Sequence, residues 1–210
     1  NTVVLKASEH ASAAMLEFGE LIEKAGFPPG VVNIVTGHGD PCGKALTSHK
    51  KVARVSFTGG PGAAKQILHN SAENFAEVSL ELGGKSPFIV FEDANIESAV
   101  NGSIAGIFRA TGQSCVAGSR LYLQEDIADE FLDRMVGLAK DIVIGDPLAD
   151  ATQMGPLCTQ GQMDCVEREV ARALDEGGTL LCGGQRPKGL SGNYYEPTII
   201  ECPSQKMQIV

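Results

Sequence analysis

The amino-acid sequence predicts an α/β protein built on parallel strands, and three observations carry that prediction. Short, apolar, often β-branched segments alternate with longer segments whose apolar residues recur at helical spacing. Glycines and prolines interrupt the chain where these segments end. Strands that alternate with helices form βαβ units, in which helices cover the faces of a parallel sheet. A chain of 210 residues can hold one large domain or two small ones with a buried core.

The first 82 residues contain four predicted strands and three predicted helices. The apolar strand over residues 2–5 is expected to be buried, as in a parallel sheet. The helix over residues 9–25 shows an apolar stripe and stops at Gly26, ahead of two prolines. The other elements predicted here are the strands 31–35, 52–57 and 77–82 and the helices 43–48 and 63–70.

Gly83 and Gly84 form the predicted boundary, which divides the chain into domains of residues 1–82 and 83–210. The second domain is expected to repeat the alternation of strands and helices. Its predicted elements are the strands 87–91, 121–123, 179–182 and 197–200 and the helices 96–109, 127–142 and 160–176.

Composition and charge exclude several classes of protein. A net charge of −9, with no block rich in lysine and arginine, argues against a nucleic-acid binder. No apolar run approaches the ~20 residues that span a bilayer, and no signal peptide is visible. The six cysteines include no CxxC pair and no histidine at zinc-site spacing, so no metal site is predicted. Reduced thiols in the cytoplasm are the expectation.

Three glycine-rich segments are candidate phosphate-binding sites. Residues 57–65 (FTGGPGAAK) follow a strand and open a helix, which suits an anion at the helix N-terminus or a plain helix start. Residues 36–43 (TGHGDPCG) miss the GxGxxG pattern by one position and favour a turn. Residues 84–86 (GKS) resemble the end of a Walker A motif, but a strand follows them, so an ATPase is rejected.

Two residues carry the chemistry predicted from side-chain types. Cys115 lies in a loop of small residues, where backbone N–H groups can activate a thiol and cradle an oxyanion. Glu81 alternates with apolar residues, so partial desolvation could raise its pKa and make it a general base; the alternative is a solvated carboxylate at a strand end. A cysteine hydrolase that uses Cys115 and His69 is a weaker alternative, because the motif spacing differs by one residue.

Four runs in order, VVLKASE, FTGG, LELGGKSP and GQSCVAGSR, resemble the aldehyde dehydrogenase superfamily, and the resemblance covers essentially the whole chain. It implies a Rossmann-like cofactor-binding part followed by an α/β catalytic domain. It also implies NAD-dependent oxidation of a small-molecule aldehyde to a carboxylic acid, through a thiohemiacetal and a thioester on the nucleophilic cysteine. Gly60 stands where many members of the family carry serine.

The resemblance also assigns roles to individual residues. It implies that Cys115 is the nucleophile and Glu81 the general base, and that Lys6 and Glu9 hold the adenosine ribose. A carboxylate at Glu9 would repel a 2′-phosphate, which favours NAD over NADP. The further cofactor-binding residues that the resemblance implies are Thr58, Gly59, Gly60, Leu82 and Gly83.

Some expectations concern what lies outside the chain. The resemblance implies an oxyanion asparagine upstream, a nicotinamide-ribose glutamate downstream and a homo-oligomeric parent protein. The isolated piece is therefore expected to be a poor or inactive enzyme, and a non-catalytic fragment that binds nucleotide or a protein partner is the alternative. Arg109, six residues before Cys115, either pairs with a carboxylate of a semialdehyde substrate or is a solvated residue at a helix end.

Overall fold

The computed structural model describes all 210 residues as an α/β protein. No helix in it is both long enough and apolar enough to cross a membrane. The eight strands are β1 (Val3–Lys6), β2 (Val32–Val35), β3 (Arg54–Gly59), β4 (Glu77–Leu82), β5 (Pro87–Val90), β6 (Arg120–Leu123), β7 (Thr179–Cys182) and β8 (Ile199–Glu201). The six α-helices are α1 (Ser12–Lys24), α2 (Lys44–Thr47), α3 (Pro61–Ser71), α4 (Ile96–Phe108), α5 (Glu125–Lys140) and α6 (Gln160–Asp175).

The strands pair in twos. The pairs β1–β2, β3–β4 and β5–β6 are parallel, and each is joined through one intervening helix, as a βαβ unit requires. The last pair, β7–β8, is antiparallel. The predicted α/β class and its parallel pairing are confirmed. The strands form four two-stranded sheets and not one continuous sheet.

The chain forms two compact units, Asn1–Gly83 and Gly84–Val210. The first unit has few buried side chains, and helix α1 has none. The prediction of a buried first strand is wrong, since Val3 and Val4 are 50% and 45% exposed. The reason is that β1 hydrogen-bonds only to β2, and a parallel strand is buried only when neighbours cover both of its faces.

The second unit has two apolar clusters. The larger joins α4, α5 and the β5–β6 pair around Phe131, which is fully buried. The smaller packs Leu157 and Tyr195 against the buried side of α6, where Met163 is fully buried. Both clusters use most of the apolar stripes predicted for α5 and α6, but Leu138 and Leu174, which the spacing also placed on those stripes, are 40% and 38% exposed.

Two element starts differ from the predictions for local reasons. Helix α1 begins at Ser12 rather than at Glu9, because Ser8 accepts hydrogen bonds from the Ala11 N–H and the Ser12 hydroxyl and forms a turn first. Strand β3 begins at Arg54 rather than at Val52, whose N–H closes a turn onto the His49 carbonyl. The strand also ends later than predicted, at Gly59.

Candidate active site

The carboxyl ends of β3 and β4 bring four predicted site residues side by side. The parallel register pairs Thr58 with Glu81 and Gly59 with Leu82. Gly60 and Gly83 follow directly in the chain. Ligands in α/β proteins bind beyond the carboxyl ends of parallel strands, so this edge is the part of the first unit that is suited to a ligand.

Helix α3 starts at this edge. Pro61 occupies its first turn, and Gly60 precedes it with an extended backbone and no side-chain cap. A Cβ at Gly60 would meet nothing within 4 Å, whereas a Cβ at Gly59 would lie 2.6 Å from the Phe57 ring. The first N–H groups of the helix are therefore open to an anion, which the positive end of the helix dipole attracts.

Lys6 and Glu9 form an ion pair after β1, with 3.3 Å between Lys6 Nζ and Glu9 Oε2. A hydrogen bond from its own backbone N–H, followed by the hydrogen bond and charge of Lys6, lowers the pKa of Glu9 below its ordinary value of 4.5. The carboxylate is therefore charged at neutral pH. It can accept hydrogen bonds from hydroxyl groups and repel a phosphate.

Glu81 is exposed in this structure. The expectation that apolar neighbours partly desolvate it is wrong for this chain, because alternation along β4 directs Leu80 and Leu82 to the opposite face. The parallel register of β3 and β4 places the Glu81 backbone beside Thr58 at the end of the strands. The edge thus presents an accessible carboxylate.

The segment before Cys115 has an unusual backbone. Helix α4 ends at Phe108, and Ala110, Thr111 and Gly112 all have positive φ values, of 53°, 58° and 72°. A β-branched residue rarely adopts this left-handed conformation, and such residues cost about 1–3 kcal/mol each unless their surroundings hold them. Two non-glycine residues in succession therefore indicate a segment held by contacts from elsewhere.

Those contacts come from residues about 45 positions later in the sequence. The Thr111 hydroxyl donates to the Gly155 carbonyl at 3.2 Å. The Gln113 side-chain carbonyl accepts from the Cys158 backbone N–H at 3.0 Å, and its amide group donates to the Ala110 carbonyl at 3.3 Å. The 110–113 segment is thereby tied both to itself and to residues 155–158.

Cys115 is exposed in the turn that follows, where the Ala117 N–H donates to the Ser114 carbonyl. The buried Cys182 is different, because desolvation raises the pKa of its thiol and its Sγ lies 3.6 Å from the Pro197 carbonyl. Of these two thiols, Cys115 is the one that a substrate can reach.

Arg109 is exposed at the C-cap of α4 and forms no ion pair within the chain. Its guanidinium is free to meet a charged group that is not part of the chain. The structure places Arg109 and Cys115 on the same short loop of the second unit.

The predicted site residues therefore fall into three local groups. The β3–β4 edge gathers six of them, the turn after β1 pairs two, and the loop after α4 carries two. Sequence reasoning missed Thr111 and Gln113, whose contacts span 44 and 45 residues. The only local signal was Gly112, since alanine and threonine give no indication of a left-handed backbone.

The profile of the aldehyde dehydrogenase family matches residues 1–210. The chain belongs to the aldehyde dehydrogenase family. This membership removes the cysteine hydrolase alternative. The chain is 57% identical over 201 residues to (Z)-2-((N-methylformamido)methylene)-5-hydroxybutyrolactone dehydrogenase of Acinetobacter baylyi, and the alignment covers 96% of this chain and 41% of that protein. It is 47% identical to the chloroplastic betaine aldehyde dehydrogenase of Atriplex hortensis, covering 99% and 42%.

Solved structures of similar sequence have the same fold. PnpE in complex with nicotinamide adenine dinucleotide matches with a TM-score of 0.93 at 46% identity, covering 95% of this chain and 42% of that one. The 3,6-anhydro-L-galactose dehydrogenase in complex with NAP matches with a TM-score of 0.95 at 40% identity, covering 100% and 44%. The chain spans about two fifths of the length of the relatives that it matches.

Proposed function

We propose that the whole protein oxidises an aldehyde to a carboxylic acid with NAD, and that Cys115 and Glu81 carry the chemistry. The Cys115 sulfur bonds to the aldehyde carbon, and its backbone N–H donates to the resulting oxyanion. A bound NAD would supply the hydride acceptor, and loss of hydride from this carbon would leave a thioester on Cys115. Glu81 takes a proton from water, the water oxygen bonds to the thioester carbon, and the carbon–sulfur bond breaks, which releases the acid and restores the Cys115 thiolate.

The observation that carries this proposal is the setting of Cys115. It is an exposed thiol three residues beyond the last of three successive left-handed residues, in a loop that hydrogen bonds with residues 155–158 hold in place. Strained backbone held in place by its surroundings is typical of functional loops. Family membership adds the reaction class.

The residues of the first unit fit a dinucleotide. The open N-terminus of α3 at Gly60 is suited to a phosphate, and at Gly59 the Phe57 ring leaves no room for a Cβ. Leu82 and Gly83 continue the neighbouring strand beyond Glu81. Thr58 adds a hydroxyl on the same edge. We assign these residues to cofactor binding.

Lys6 and Glu9 support NAD as the preferred cofactor. The lowered pKa of Glu9 keeps its carboxylate charged, so it accepts hydrogen bonds from ribose hydroxyls and repels a 2′-phosphate. Lys6 stands 3.3 Å away and fixes the orientation of that carboxylate. NADP binding would bring its phosphate against this negative charge.

Arg109 supports a substrate that carries a carboxylate beside its aldehyde. Its exposed guanidinium has no acidic partner within the chain and lies on the loop of Cys115. If this is its role, Arg109→Ala lowers kcat/KM for a semialdehyde more than for a plain aliphatic aldehyde of equal length. An unchanged ratio between the two substrates would remove Arg109 from the substrate site.

The compartment and assembly complete the proposal. A thiol nucleophile needs a reducing compartment, and we assign the cytoplasm. We also expect the whole protein to be a homo-oligomer, which light scattering of the purified protein tests. Fractionation of the source cells tests the location.

The decisive experiment compares three forms of the whole protein in an NADH absorbance assay with NAD and a panel of aldehydes. Cys115→Ser should abolish the signal, while Cys165→Ser, a change at a half-buried cysteine on α6, should preserve it. A nicotinamide-dependent signal that survives Cys115→Ser would reject Cys115 as the nucleophile. Absence of any signal in the unmodified protein would favour the non-catalytic alternative.

A further inference from the structure

Residues 155–158 form a rigid support in the second unit. Met154, just before them, is buried in the larger apolar cluster, and Leu157 is buried in the smaller one. The Leu157 N–H also donates to the Asn193 carbonyl at 2.8 Å, and the Met154 N–H to the Val143 carbonyl at 3.1 Å. A segment held at both ends by packed side chains and backbone hydrogen bonds resists displacement.

The loop of Cys115 is joined to this support by two side chains only a residue apart. Thr111 reaches the Gly155 carbonyl, and Gln113 reaches the Cys158 N–H. Gln113 also donates two hydrogen bonds to the Ala110 carbonyl, one from its side-chain amide at 3.3 Å and one from its backbone N–H at 3.1 Å. These bonds hold Ala110 and Thr111 in their left-handed conformation.

We propose that Thr111 and Gln113 are positioning residues, which hold the strained 110–113 segment against residues 155–158 and so place the Cys115 thiol for attack. The inference rests on the proposed role of Cys115. Neither side chain needs to touch substrate or cofactor. Their contribution is the orientation of the sulfur, and a displacement of about 1 Å at a reacting group can cost ~100-fold in rate.

Alternative functions for these side chains make different predictions. A purely structural role would lower stability and leave the turnover of the folded protein unchanged. A role in cofactor binding would change the affinity for NAD. The positioning role lowers kcat, with KM and the NAD dissociation constant little changed.

The test uses Thr111→Val, which keeps the shape and removes the hydroxyl, and Gln113→Ala, in the whole protein. Each should lower kcat by about 10- to 100-fold, and the double variant should cost less than the product of the two losses because both act on one segment. Thr111→Ser should restore most of the turnover. Thr179→Val and Gln162→Ala, at exposed positions elsewhere in the second unit, are the matched controls and should leave kcat unchanged.

Hydrogen exchange provides a readout that does not depend on the reaction. The Cys158 amide, which donates to Gln113, should exchange at least tenfold faster in Gln113→Ala, and amides 112–117 should lose protection in both variants. Wild-type kcat in Thr111→Val and Gln113→Ala together with faster exchange would overturn the positioning role. Activity that persists in Cys115→Ser would instead reject the proposed function. The exchange result would still test the hydrogen bonds that join residues 110–113 to residues 155–158.

Discussion

The proposed preference for NAD over NADP rests on one side chain, Glu9. It is exposed, and its pKa is lowered first by its own backbone N–H and then by Lys6. Because the carboxylate stays ionised well below neutral pH, its charge is constant under assay conditions. The preference for NAD should therefore depend on the presence of the carboxylate and not on pH near neutrality.

Replacing Glu9 with Gln should shift the whole protein towards NADP. The change removes the negative charge and keeps a hydrogen-bond acceptor, so we expect the ratio of kcat/KM for NADP to that for NAD to rise about tenfold. Steady-state kinetics with both cofactors measures the ratio. Glu20→Gln, an exposed carboxylate on α1, is the control. An unchanged ratio in Glu9→Gln would contradict the assignment of Glu9 to the ribose.

Some features of individual residues were predictable from the sequence and others were not. Strand β4 was predicted at its observed bounds because apolar alternation between turns is a local signal. The exposure of Glu81 follows from the same alternation, which directs Leu80 and Leu82 to the other face of the strand. The left-handed backbone at Ala110 and Thr111 was not predictable, because it depends on partners elsewhere in the chain that no local pattern reveals.

Among the elements, α5 is the main support of the second unit. Its apolar stripe buries Ile127, Phe131, Met135 and Ala139, and the larger cluster forms around them. Helix α4, which delivers the loop of Cys115, packs against this stripe through Val100 and Phe108. The stability of α5 thus supports the position of the loop that carries Cys115.

Phe131→Ala should therefore destabilise the second unit strongly. Removal of a fully buried phenylalanine side chain costs about 3–5 kcal/mol, because contacts are lost and the cavity closes only in part. Urea unfolding followed by circular dichroism measures the loss. Phe91→Ala, at a phenylalanine that is 63% exposed, is the matched control and should cost under about 1 kcal/mol. Equal losses in the two variants would contradict the packing described.

Helix α6 is joined to the turn-rich segment before β8 by the Glu167–Arg186 ion pair, in which Arg186 donates through Nε at 2.7 Å and Nη2 at 3.0 Å. The hydrogen bond from Arg186 lowers the pKa of Glu167 below 4.5. A lowered pKa means that the pair stabilises the fold fully above about pH 4.5. This stabilisation is lost as pH falls through the lowered pKa of the folded protein.

The melting temperature of Glu167→Gln should thus lie below that of the unmodified chain at pH 7, by a small amount because the pair is half exposed. The difference should vanish in strong acid, where Glu167 is protonated in both folded and unfolded states. Glu201→Gln, at an exposed carboxylate without an ion pair, should show no such pH dependence. A difference that grows as the pH falls would contradict the assigned sign.

At the scale of the whole molecule, the two units differ in how much they bury. The first has four buried residues, Ala7, Thr47, Ala64 and Ser71, and its helix α1 leaves Leu16, Phe18 and Leu21 about half exposed. The second contains both apolar clusters. Local stability follows the number of buried apolar contacts, so the units should open at different free energies.

Hydrogen exchange followed by mass spectrometry should find this difference in the isolated chain. Amides of α1 should exchange much faster than those of α5, because α1 has no buried side chain and α5 has four. Equal protection in the two helices would contradict the described burial.

The α/β class and the family were predictable from the sequence, because alternation of elements and the quoted motifs are local features. The pairing of strands in twos was not predictable, because pairing depends on which neighbours each strand meets. The same limit applies to the tether between residues 110–113 and 155–158. Its two hydrogen bonds join residues that lie far apart in the sequence.

The most direct test of the central claim is to trap the thioester on Cys115. In the whole protein carrying Glu81→Gln, the aldehyde should still add to Cys115 and yield one NADH per subunit, while hydrolysis stops. Mass spectrometry should then find the acyl group on the Cys115 peptide, and Glu77→Gln, an exposed carboxylate on the same strand, should turn over normally. A full catalytic rate in Glu81→Gln, or an acyl group on another residue, would contradict the account.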